Sequence, residues 1–103
     1  MKFELKEIQQ LTGQRCKIYS VLMEGDEKTL FEQFLAENRN DSPQEVKIIT
    51  SDLIAIGKRF GAQDLYFRPK KEGRLGDGIE AIFDKPNANL RLYAIKYGRI
   101  LLV

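Results

Sequence analysis

The sequence predicts an α+β domain in which an antiparallel β-sheet meander carries a two-helix hairpin packed on one face. Three observations lead there. Apolar and polar residues alternate near both ends of the chain, apolar residues recur at three- and four-residue steps between residues 26 and 60, and turn-forming residues separate the runs. Strands, then two helices, then strands is the order of a helical layer laid over one sheet face.

Each element has its own local signal. Phe3 and Leu5 alternate with Lys2, Glu4 and Lys6, and Arg15 to Met23 is rich in β-formers, so two strands are expected on either side of Thr12-Gly13. Asp26 is a candidate N-cap for a helix reaching Asn38, with Leu30, Phe31, Phe34 and Leu35 on one face. Ser42-Pro43-Gln44-Glu45 has the form of a capping box with proline at the first helical position. Val46, Ile49, Leu53, Ile56 and Phe60 then continue at helical spacing to Gly61, where a left-handed stop is expected.

Beyond Gly61 the period shortens to two. Leu65 and Phe67 predict a short strand, Arg68 to Arg74 a basic loop, and Gly76-Asp77-Gly78 a tight turn. Residues 79–83, 89–97 and 99–103 predict three further strands, divided by Asp84-Lys85-Pro86-Asn87 and Tyr97-Gly98-Arg99. Ile100-Leu101-Leu102-Val103 is the most apolar tetrapeptide of the chain, which calls for a central strand or for more sequence beyond it.

Composition removes several classes of function. With 43% hydrophobic and 31% charged residues the chain is neither disordered nor a helical membrane protein, and no apolar run approaches the ~20 residues of a spanning helix. No secretory signal opens it, so a single cytoplasmic domain over residues 1–103 is expected, without membrane association. The chain has no histidine, which excludes serine triads, histidine-ligated zinc and imidazole acid–base chemistry within it. Cys16, the one cysteine, lacks an activating partner and alternates with Ile18 and Ser20 as a small buried hydrophobe. No metal or other cofactor is expected, and any catalysis must draw on carboxylates, lysine, arginine or tyrosine.

Charge is unevenly placed. Residues 1–50 carry seven Lys/Arg against nine Asp/Glu, a balance of −2, whereas residues 51–103 carry ten against six, a balance of +4. An anionic partner is therefore expected at the second half. There the strand from Leu90 to Tyr97 divides by parity, with Leu90, Leu92, Ala94 and Lys96 on one face and Arg91, Tyr93, Ile95 and Tyr97 on the other. Packing the first set under the helices leaves an arginine and two tyrosines on the open face. Arginine can grip phosphate through two hydrogen bonds and tyrosine can stack a base, so this face suits RNA, although the same pattern also serves an ordinary solvated strand.

Arg74-Leu75-Gly76-Asp77-Gly78-Ile79-Glu80-Ala81-Ile82-Phe83, followed by Leu90-Arg91-Leu92-Tyr93, resembles a passage of the HigB-like, phage-derived members of the RelE/ParE toxin superfamily. The resemblance implies a type II toxin held by a cognate antitoxin, often a helix-turn-helix protein, and acting on mRNA at the ribosome as a metal-independent endoribonuclease. By residue matching it gives Arg91 the phosphate-gripping place and sets Lys70, Lys71 and Arg74 near where the family's cationic groups gather; Tyr93 and Tyr97 are the candidates to substitute for the tyrosine or histidine that the family draws from a later segment. Glu80 departs from the basic residues common on that strand in the family, and the chain stops before the segment that supplies further catalytic groups there. A noncatalytic module of the same fold, binding a partner protein, is the competing expectation.

Overall fold

A computed structural model describes residues 2–63, 67–68, 79–82, 90 and 92–103, with the strands at 67–68 and 79–82 described through their backbone. The strands are β1 (Phe3–Glu7), β2 (Lys17–Met23), β3 (Phe67–Arg68), β4 (Ile79–Ile82), β5 (Leu92–Tyr97) and β6 (Ile100–Leu102). The helices α1 (Leu30–Asn38) and α2 (Pro43–Ala55) stand between β2 and β3, and α2 runs on into a π-helical turn, Ile56–Phe60.

All six strands form one sheet in the order β1-β2-β6-β5-β4-β3. The fold is therefore α+β, but its sheet is mixed rather than wholly antiparallel. β1–β2 is an antiparallel hairpin and β3 to β6 an antiparallel meander, and the two are joined by a parallel seam pairing Lys17, Ile18 and Tyr19 with Ile100, Leu101 and Leu102. Alternation of apolar residues specifies which face a strand buries, not the direction of its neighbour, and the long crossover through both helices is what a parallel pair requires. The apolar β6 run thereby gains a strand on each side.

Ile18, Leu92, Ala94 and Leu101 of the sheet meet Phe31 of α1 and Ile49, Leu53 and Ile56 of the second helical segment in one core. Ser20, fully buried, joins three elements there: its hydroxyl donates to the Val103 carbonyl at 2.6 Å and accepts from the Phe31 N–H at 3.0 Å. Both of its hydrogen-bonding roles are filled, which is what makes a buried hydroxyl tolerable.

The second helix starts where expected, at Pro43 after Ser42, but the start of the first and the capping of the second differ from expectation. Thr29, not Asp26, caps α1, accepting from the Glu32 N–H at 3.2 Å while Glu32 accepts from the Thr29 N–H at 2.8 Å. That reciprocal capping box begins the helix one residue later than Thr29, and leaves Leu30 exposed instead of on the buried stripe. At α2, Ser42 makes no side-chain cap; the Glu45 carboxylate instead accepts from the Leu90 N–H at 2.9 Å, tying α2 to the entry of β5.

The end of α2 departs in a related way. In the π turn the Gly61 N–H reaches back to the Ile56 carbonyl at 2.9 Å, so the Gly57 carbonyl is released from the helix. It accepts instead from the N–H groups of Arg15 and Cys16 at 3.0 and 3.1 Å. Gly57 and Gly13 make this contact feasible, because a Cβ on either would collide with the backbone of the other segment. The widened turn also rotates Phe60 off the apolar stripe and leaves it exposed, contrary to the helical spacing. Gly61 does end the helix with φ 77°, but its ψ of 179° is extended rather than left-handed helical, a combination essentially confined to glycine.

Candidate functional site

The helices cover one face of the sheet. Leu92 and Ala94 of β5 point into them and are buried, and Lys96 of the same parity is half-buried. The alternate residues emerge on the opposite face, where Tyr93 is 59% and Tyr97 78% exposed, with Ile95 between them at 40%. At ordinary strand rise the two tyrosines stand about 13 Å apart, separated by one apolar position.

Register carries this face across the sheet. Tyr97 pairs with Ile100 and Ile100 with Lys17, so an exposed tyrosine, an exposed isoleucine and an exposed lysine lie in one row across β5, β6 and β2. The next row runs from Ile95 through Leu102 to Tyr19 and Glu7. Arg99, in the turn between β5 and β6, stands beside the first row, with its guanidinium donating to the Gln14 carbonyl at 2.5 Å and its own carbonyl accepting from the Lys17 N–H at 2.9 Å. Tyr93 lies opposite Ala81 in register, and Glu80 opposite Ala94.

Of the residues singled out from sequence, Tyr93 and Tyr97 share this open face. Lys70, Lys71, Arg74 and Arg91 lie outside the described residues, as do the Gly76-Asp77-Gly78 turn and Leu65. Lys17 and Arg99 were not anticipated as site residues. Lys17 belongs to the amino-terminal hairpin and reaches Tyr97 only through the parallel β2–β6 seam, which no local pattern announces. The signal available in the sequence is the alternation Cys16-Lys17-Ile18-Tyr19-Ser20, which sets Lys17 on the face opposite the small and apolar residues.

Cys16 is buried beneath this region, and burial pushes its thiol above the ordinary value, with the nearby charges of Arg99 and Lys96 opposing that shift. A thiol held in its neutral form is a poor nucleophile, in keeping with a packing role. Among the described residues no three His, Cys, Asp or Glu side chains come together as a metal-binding set, and no helix is long and apolar enough to cross a membrane.

No family model, curated protein or solved structure matches the chain. The open face offers two stacking surfaces, apolar ground between them, and the Lys17 cation at one end, a combination suited to a flexible polyanion with exposed bases.

Proposed function

We propose that the chain is a RelE/ParE-like toxin of the HigB-like kind, which binds mRNA along the open face of β5 and cleaves it, and which a cognate antitoxin, of helix-turn-helix type, holds inactive. The observation that carries this reading is the outward projection of Tyr93 and Tyr97, with Lys17 in the same row as Tyr97.

In the proposed reaction the ribose 2′-oxygen attacks the adjacent phosphorus as the bond to the 5′-oxygen breaks, giving a 2′,3′-cyclic phosphate and a 5′-hydroxyl. One proton must leave the 2′-hydroxyl and one must reach the departing oxygen. Arg91, which precedes Tyr93 at the same parity, neutralises charge growing on the phosphate, with Lys70, Lys71 and Arg74 attracting the strand. Tyr93 and Tyr97 hold bases by stacking and provide phenols for proton transfer. Positioning the 2′-oxygen in line supplies much of the acceleration.

Controlled expression in a bacterial host, with growth and the integrity of translated mRNA followed together, tests this. Arrest with cleaved mRNA is expected, and Arg91→Ala should lower cleavage on the order of 100-fold and restore growth. Unimpaired growth and intact mRNA in the presence of soluble protein would exclude the nuclease.

A noncatalytic module on the same scaffold is favoured by a separate observation, the exposure of Phe3, Leu5, Ile95 and Ile100. So much apolar side chain suits a protein partner. On that reading the product of a neighbouring gene co-purifies with the chain while mRNA stays whole.

A further inference from the structure

We infer that the outer edge of β1 is a self-association surface, through which two copies of this chain pair antiparallel about Leu5 and continue the sheet from one molecule into the next. β1 is the terminal strand of the described sheet, next to β2 alone. Its pairing with β2 is regular from Phe3 to Glu7, with no bulge to twist the edge away and no proline to block it. Phe3 and Leu5 are 58% and 53% exposed on it. A groove of about 510 Å³, lined by Lys6, Leu11, Leu22, Phe31 and Leu35 among others, separates β1 from α1, so the helix does not cover the strand.

The hydrogen-bonding direction of β1 restricts which pairings are open to it. The Ile8 N–H donates to the Ile18 carbonyl at 2.8 Å, and the Glu24 N–H to the Lys2 carbonyl at 3.0 Å. Within an antiparallel ladder these are the hydrogen-bonded pairs, so Lys2, Glu4, Lys6 and Ile8 direct their backbone groups toward β2. Phe3, Leu5 and Glu7 therefore direct theirs outward, and no described residue hydrogen-bonds to them. A second β1 strand must match outward residues with outward residues, which forbids every register displaced by one residue.

Charge selects among the registers that remain. With Leu5 opposite Leu5 of the second copy, Phe3 faces Glu7, and Glu4 faces Lys6 on both sides of the two-fold axis. The Glu4–Lys6 positions fall at non-hydrogen-bonded pairs, where facing side chains come closest. A displacement of two residues one way puts Glu4 against Glu4 and Lys2 against Lys6; two residues the other way puts Lys6 against Lys6. Of these three registers, which pair most of the strand, only the central one is free of like-charge contacts. In the monomer Glu4 and Lys6 are ion-paired along the strand at 3.3 Å, both well exposed, and the second copy would turn that pair into a cluster of four alternating charges. The same register sets the Phe3 and Leu5 rows of both copies on one side of the joined sheet, continuous with both open faces.

Sedimentation equilibrium of the full chain across the micromolar to millimolar range is the test, and it does not depend on whether the protein cleaves RNA. Wild type is expected to show a concentration-dependent dimer. Leu5→Pro removes an outward N–H without touching the β1–β2 ladder, and should leave a folded monomer by circular dichroism. Lys6→Glu should weaken association about tenfold to a hundredfold by replacing two attractive cross-strand pairs with two repulsive ones. The exchange Glu4→Lys with Lys6→Glu should restore it. Leu5→Cys should give a disulfide-linked dimer, because paired Cα atoms at such a position lie about 5.5 Å apart, whereas Phe3→Cys should not. A monomer at every concentration would overturn the inference, and a Lys6→Glu defect that the charge exchange fails to repair would overturn the register.

Discussion

The two faces of the sheet are built from the same strands and differ almost completely in environment. On the helix side Ile18, Ser20, Leu92, Ala94 and Leu101 are all less than a tenth exposed. On the other side Phe3, Leu5, Tyr93, Ile95, Tyr97 and Ile100 are each at least two-fifths exposed, although most of them are as apolar as the residues of the core. Burial along β5 alternates residue by residue, so the difference comes from which side the helices occupy, not from hydrophobicity. The buried face supplies folding energy, and the open face leaves aromatic and aliphatic surface for contacts with other molecules.

The largest test of that contrast is Leu101→Ala. Deleting a fully buried leucine from a central strand should cost about 2–5 kcal/mol in stability, measured by urea denaturation. Ser20→Ala should cost about 1–3 kcal/mol, because it leaves the Phe31 N–H and Val103 carbonyl without their shared hydroxyl. Tyr93→Ala and Tyr97→Ala should each change stability by no more than about 0.5 kcal/mol while weakening single-stranded RNA binding by about 1–3 kcal/mol per lost stack, read at fixed salt. If Tyr97→Ala proved as destabilising as Leu101→Ala, the distinction between a structural and a binding face would fail.

The sequence exposed the parity of β5 well, because strand periodicity depends only on local alternation. It exposed the existence of both helices for the same reason. What it hid depended on distant partners. Ser42-Pro43-Gln44-Glu45 has the residues of a capping box, but the carboxylate of Glu45 is engaged by Leu90, far along the chain. Thr29 and Glu32, by contrast, form a box that was locally visible and was obscured by the competing Asp26. Phe60 fits the helical stripe until the π turn shifts it, and that turn is bound to the loop at Gly13 and Arg15. The site shows the same division. Tyr93 and Tyr97 follow from one strand's pattern, whereas Lys17 joins them through the pairing of β2 with β6.

That parallel seam has a consequence for how the molecule is made. Contacts between segments this far apart raise the contact order and carry a large loop-closure entropy, which slows folding. During synthesis β2 can pair with β1 as soon as both have emerged, but its other edge has no partner until β6 leaves the ribosome. The nascent chain therefore carries a two-stranded hairpin that is too small to be stable alone, with Ile18 awaiting Leu101.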